Sequence, residues 1–214
     1  MFEDVLTWFF NENGIDREKA PPAAALEHNQ IQLQLAGISL EEVIKDSILE
    51  RLPEREKEVQ AEKREIESAE TCKRMLHLMR RGTDIMNQQL LVRRALEFED
   101  EIIPEIILML KTSLNDLFIE VSIRVLAICG KDISEELTGM YDQVRSPYAR
   151  SMILVALGFK ANEKSIPWLI KKYNELKRLY PDESYCYGAY YALYEMESRF
   201  YSDKRSISSS PGAN

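Results

Sequence analysis

Val125-Leu126-Ala127-Ile128-Cys129-Gly130 reads as the apolar end of a helix closed by glycine, and the chain returns to that phrase. Leu154-Val155-Ala156-Leu157-Gly158 has the same form, and the dipeptides Ala95-Leu96 and Ala192-Leu193 stand before and after it in comparable apolar stretches. The four alanines of these phrases follow one another at spacings of 32, 29 and 36. A period of that size marks stacked helical units, each with an apolar face that only its neighbour can cover. Stacking of this kind builds an extended surface suited to holding a partner.

Working outward, the punctuation divides the chain into four helical hairpins. They span residues 70–81 with 85–98, 102–113 with 117–129, 133–144 with 147–158, and 165–180 with 184–200. Gly82, Gly130 and Gly158 stand where C-terminal caps belong, Ser146-Pro147 reads as N-cap and first turn, and Asp132 with Glu135 forms an acidic capping box.

These residues resemble the HEAT-like helical repeats over about residues 70–200. Ile103-Pro104-Glu105-Ile106-Ile107 and Ile166-Pro167-Trp168-Leu169-Ile170 look like the start of that family's first helix. The phrases around Ala127 and Ala156 look like the end of its second. The family's turn Asp and second-helix Val-Arg are represented only by Ile123-Arg124 and Ala149-Arg150, so its Asp-Arg ladder is incomplete. The resemblance implies an all-α protein, a short right-handed α-solenoid of about four hairpins, acting as adaptor or scaffold; fold alone does not fix function.

Ahead of the repeats lies a different kind of sequence. Residues 1–70 carry 8 basic and 17 acidic side chains, whereas residues 71–214 carry 20 and 19. The chain therefore divides into an acidic helical arm over 1–69, a repeat region over 70–201 and a serine-rich disordered tail over 202–214. In the arm, Phe2, Val5, Leu6 and Phe9 form one apolar stripe, with Trp8 and Phe10 off it. Pro21-Pro22 breaks the chain, and Gln30 to Leu35 alternates polar and apolar; with no second strand to pair with, an ordered loop or short helix packing Leu33 and Leu35 is the expectation. Ser39 and Glu42 cap a helix over 40–51, and residues 54–69 form a charged helix with only Val59 and Ile66 apolar, a spacer or mobile arm.

No run approaches the roughly 18 apolar residues of a membrane span, and Met1–Gly14 lacks a basic leader region. Three isolated cysteines, Cys72, Cys129 and Cys186, fit a reducing cytoplasm better than a disulfide framework. Phosphate-binding glycine loops, G-x-S-x-G, H-E-x-x-H and paired Cys or His are all missing, so neither catalytic residues nor a cofactor or metal site is expected. His77, among Met75, Leu76, Leu78 and Met79, reads as a partly buried, hydrogen-bonded side chain.

Two surfaces remain as candidates. Eight of the ten tyrosines fall between Tyr173 and Tyr201. With Trp168, the residues Tyr187, Tyr190, Tyr191 and Tyr194 are of the type that anchors protein partners, or they cap the end of the array. The alternative surface is a line of Arg93, Arg94, Arg124 and Arg150 along the inner helices, which some HEAT-like proteins use to hold duplex DNA. The near-neutral charge of the region argues against general phosphate binding. The expectation is thus a cytoplasmic, non-enzymatic protein-binding scaffold, with nucleic-acid binding as the rival.

Overall fold

The computed structural model describes residues 2–15, 22–40, 43 and 53–208. Within them the chain is all-helical, with no strand. The helices are α1 (Phe2–Glu12), α2 (Ala23–Leu35), α3 (Pro53–Glu67), α4 (Cys72–Arg81), α5 (Ile85–Leu96), α6 (Glu99–Leu110), α7 (Asp116–Ile128), α8 (Ser134–Met140), α9 (Pro147–Lys160), α10 (Ile166–Leu179) and α11 (Tyr187–Ser208). No helix among the described residues is long and apolar enough to cross a membrane.

Local chemistry sets the boundaries. Thr71 accepts from the Arg74 N–H, Asp84 from Met86, Asn115 from Phe118, and Ser146 from Ala149, so α4, α5, α7 and α9 each begin on a side-chain cap. Such a cap contributes about 1 kcal/mol. Pro147 occupies the first turn of α9, where its missing N–H costs nothing. At Gly82, φ is +86°, a conformation that side chains resist, and α4 stops there as the sequence suggests. The helix expected to begin at residue 102 starts earlier, because Glu99, Asp100 and Glu101 suit a helix N-terminus; Pro104 therefore lies inside α6.

The interior is built on α7 and α9, which bury side chains on nearly every side. Phe118, Ile119, Val121, Ile123, Val125, Leu126 and Ala127 are buried on α7, and Ile153 to Leu157 on α9. A helix that is apolar all round must be covered all round. Here α7 packs between α5 and α9, and α9 makes its most extensive contact with α11.

That last contact corrects the reading of Gly158 as a cap. A methyl group at Gly158 would lie 2.6 Å from the Cα of Ala192, and one at Gly188 would lie 2.0 Å from the backbone oxygen of Ser151. Both glycines are there so that two helix backbones can meet. At Gly130, φ is not positive either, so among these glycines Gly82 alone has a positive φ.

Helix α3, in the stretch expected to be a spacer or mobile arm, is packed on the body. Val59 and Ile66 are buried where α3 lies on α5. Asn87 donates to the Val59 carbonyl at 2.9 Å and to Glu62 at 2.8 Å, and Glu65 pairs with Arg74 and Arg81. Arg81 holds the Glu65 carboxyl below its usual range. Residues 30–35 belong to α2, a helix that opens directly after Pro22. Ile31 is its buried aliphatic, while Leu35 is exposed, so the expected packing of Leu33 and Leu35 gives way to a face through Ala24, Glu27, His28 and Ile31. In α1 the buried pair is Leu6 and Phe9; Val5 is exposed and Trp8 is 58% exposed. The helix expected over 40–51 lies almost wholly outside the described residues. At the other end, α11 continues through Ser208, into the segment expected to be disordered, and residues 209–214 lie outside the described part.

Candidate interaction surface

Helix α2 lies against α7, α9 and α11. Its central grip is an ion pair. Arg124 on α7 donates from Nε to Glu27 Oε2 at 2.6 Å and from Nη2 to Glu27 Oε1 at 2.9 Å, and its Nη1 donates to Gln88 Oε1 on α5 at 2.7 Å. Both partners are inside, Arg124 at 3% exposure and Glu27 at 4%. Two parallel charged hydrogen bonds fix the carboxylate in the plane of the guanidinium, which a lysine could not do.

One residue along α2, His28 Nε2 lies 2.9 Å from Glu195 Oε2 on α11, and Gln32 Nε2 donates to the same oxygen at 3.0 Å. The carboxylate accepts, which makes the imidazole nitrogen the donor. The His28 ring is bracketed by Phe159 at 5.3 Å, Tyr191 at 5.5 Å and Tyr194 at 5.9 Å between centroids. The bed beneath α2 thus offers a cationic fork, an anionic acceptor and aromatic walls.

A second carboxylate lies at the edge of this arrangement. Glu120, one turn before Arg124, accepts from the Tyr148 hydroxyl at 2.8 Å. Burial pushes its carboxyl above the usual range, Tyr148 opposes that rise, and the charge of Glu27 adds to it. The Tyr148 phenol is pushed up in turn, first by burial and then by its bond to Glu120.

The arginine line does not assemble. Arg124 is buried under Glu27, Arg94 pairs with Glu97 and donates to the Ala69 carbonyl at 2.7 Å, and Arg150 donates from Nε to the Val144 carbonyl at 2.7 Å. Arg93 is exposed on α5. Three of the four arginines tie helices or loops of the chain together.

The tyrosine group is also divided. Tyr190 packs edge-on to Phe10 at 5.3 Å and contacts Phe9, Tyr187 and Tyr191, so α1 lies over this part of α11. Tyr187, Tyr190 and Tyr191 are half-buried, and Tyr194 is 48% exposed. Trp168 is elsewhere, edge-on to Tyr141 at 5.2 Å, with the buried Lys172 ammonium over both rings and paired to Asp142 at 2.8 Å. The ring contact of Trp168 is thus with Tyr141, whereas Tyr187, Tyr190 and Tyr191 contact one another. His77 is exposed, not partly buried, because it falls between the buried Met75, Leu78 and Met79 on α4. All three cysteines are free and buried, and burial raises each thiol, as expected of small hydrophobes.

Sequence reasoning missed Glu27, His28 and Glu195. The available signal was that Glu27 and His28 share a helical face with Ala24 and Ile31, a polar pair set within an apolar stripe. Compared with known proteins, the chain matches no family model, no curated protein and no solved structure.

Proposed function

We propose that this chain is a non-enzymatic, cytoplasmic protein-binding scaffold, a short HEAT-like solenoid of about four hairpins in which α5, α7, α9 and α11 form the inner row. The reading rests on one observation: α2 lies across α7, α9 and α11, with its Glu27 clamped by the buried Arg124. An inner row that takes one helix by a charged, bidentate contact has the chemistry of a helix-binding surface. Weighing against the nucleic-acid reading is the same ion pair, which takes the central arginine of the proposed line out of solvent.

The test is capture of partners by the tagged full chain from its host lysate, with and without nuclease. A stoichiometric protein that survives nuclease supports the scaffold. Retention of nucleic acid, with a steep loss of affinity as salt rises, overturns it.

A further inference from the structure

Resting on the reading of the inner row as a helix-binding surface, we infer that the bed beneath α2 is a docking site for a helix of another protein, and that α2 fills it in cis. The bed is Gln88, Arg124, Phe159, Tyr191 and Glu195, contributed by α5, α7, α9 and α11. Its two charged groups determine what it accepts. Arg124 requires a carboxylate, and Glu195 requires a hydrogen-bond donor or cation at the next position along the same helix. The partner is accordingly an amphipathic helix bearing Glu followed by His, Lys or Arg, with a small residue about one turn before and an aliphatic about one turn after. That is the face α2 presents with Ala24, Glu27, His28 and Ile31.

Three features make the occupant exchangeable. First, α2 is poorly equipped to be a helix by itself: Pro22 makes no side-chain capping bond, and neither its first turn nor its last carries a charge that complements the helix dipole. A helix of its 13 residues is marginal in water, so its order comes from the bed. Second, the grip is partly ionic, with Glu27 on Arg124 set beside the buried Ala24, Ala25 and Ile31. A buried ion pair roughly breaks even against its own desolvation, so it selects an occupant more than it binds one irreversibly. Third, α1 keeps its own hold on the body, through Phe9 at 4.9 Å from Tyr173 and Phe10 against Tyr190, so departure of α2 leaves α1 anchored. A tethered segment competes at an effective concentration in the millimolar range, and a partner has to outbid that.

The experiment titrates a fluorescent synthetic peptide of residues 22–37 onto the full-length chain, read by anisotropy. The Glu27→Ala chain, whose own α2 has lost its carboxylate while Arg124 remains, should bind the peptide at least about ten times more tightly than the wild-type chain does. Adding Arg124→Ala, or placing Ala at the Glu27 position of the peptide, should abolish that gain. A Glu27→Ala chain that keeps its circular dichroism and cooperative melt, yet binds the peptide no better than wild type, overturns the inference. Should Glu27→Ala not fold, Gln32→Ala, which removes one hydrogen bond to Glu195, takes its place, and absence of any gain there overturns it equally. The two readings separate in the same setting. A captured protein that excess peptide fails to displace leaves the scaffold standing and overturns the cis-occupant. Peptide binding without any captured protein upholds the docking bed and counts against the scaffold.

Discussion

The seam between α9 and α11 and the seam of α2 with α7, α9 and α11 both close over buried surface, yet they are made differently. In the first, Gly158 and Gly188 let backbones meet, with Ala192 and Ser151 directly opposite. In the second, Ala24, Ala25 and Ile31 are buried beside side chains with specific polar ends that span the seam, Glu27 to Arg124 and His28 to Glu195. Contact by shape is intolerant of any added atom, whereas contact by matched charge can be satisfied by any helix with the right groups at the right spacing. The contrast marks α9 and α11 as frame and α2 as an occupant.

The largest expected effect lies in the frame. Gly188→Leu drives a side chain into the Ser151 backbone, which cannot swing aside, and should cost about 3 kcal/mol or more, seen as a large drop in the midpoint of cooperative thermal unfolding. If that variant melts like wild type, the frame is looser than its geometry implies.

Glu27→Ala should come next, and its effect should be local. Removing one member of a buried pair costs about 3–5 kcal/mol when the remaining charge has no escape. Here Arg124 regains water once α2 lifts, so the loss should appear as opening of α2, with a smaller change in global melting. Replacing both partners at once, Glu27→Met with Arg124→Met, should recover most of the lost stability, because no charge is left unpaired. Thermal melts of the single and double variants check this, and a double variant weaker than either single one would count against the assignment.

A smaller, pH-dependent effect belongs to Glu120. Its carboxyl is raised by burial, so the folded chain holds that proton more tightly than the unfolded chain does. The associated stability is present below the ordinary carboxylate value and is lost as pH rises through the raised one. Stability of wild type relative to Glu120→Gln should therefore fall across the window just above the usual carboxylate range, by about 1 kcal/mol or less given partial solvent screening. Denaturant melts of the two chains over that range measure it. The smallest effect is expected at Tyr194, whose ring is half in solvent beside His28; Tyr194→Ala should change stability by about 0.5 kcal/mol.

The contrast between frame and occupant also explains what could be read from residues alone. Helix boundaries were legible at Ser146-Pro147 and Gly82 because caps and stops act over three or four residues. The burial of Val59 and Ile66 was not legible, because two apolar residues in a charged helix look the same whether the helix is solvated or packed. Gly158 was misread because a glycine after an apolar run looks alike whether it ends a helix or admits a neighbouring one; only the position of Ala192, on another helix, distinguishes the two. The central pair was invisible for a stronger reason. Glu27 and Arg124 stand 97 positions apart, and nothing local to either names the other. The same holds for the arginine line, in which Arg94 and Arg150 spend their donors on the Ala69 and Val144 carbonyls. Periodicity finds elements, and it does not find which side chains those elements bring together.

The most direct test of the frame and its occupant is amide hydrogen exchange on wild type and Glu27→Ala, resolved by helix. Residues 23–35 should lose protection in the variant by at least tenfold, about 1.4 kcal/mol, while α9 and α11 exchange as in wild type. Loss of protection in α9 and α11 in step with α2 would contradict the account, since it would make α2 an inseparable part of the frame.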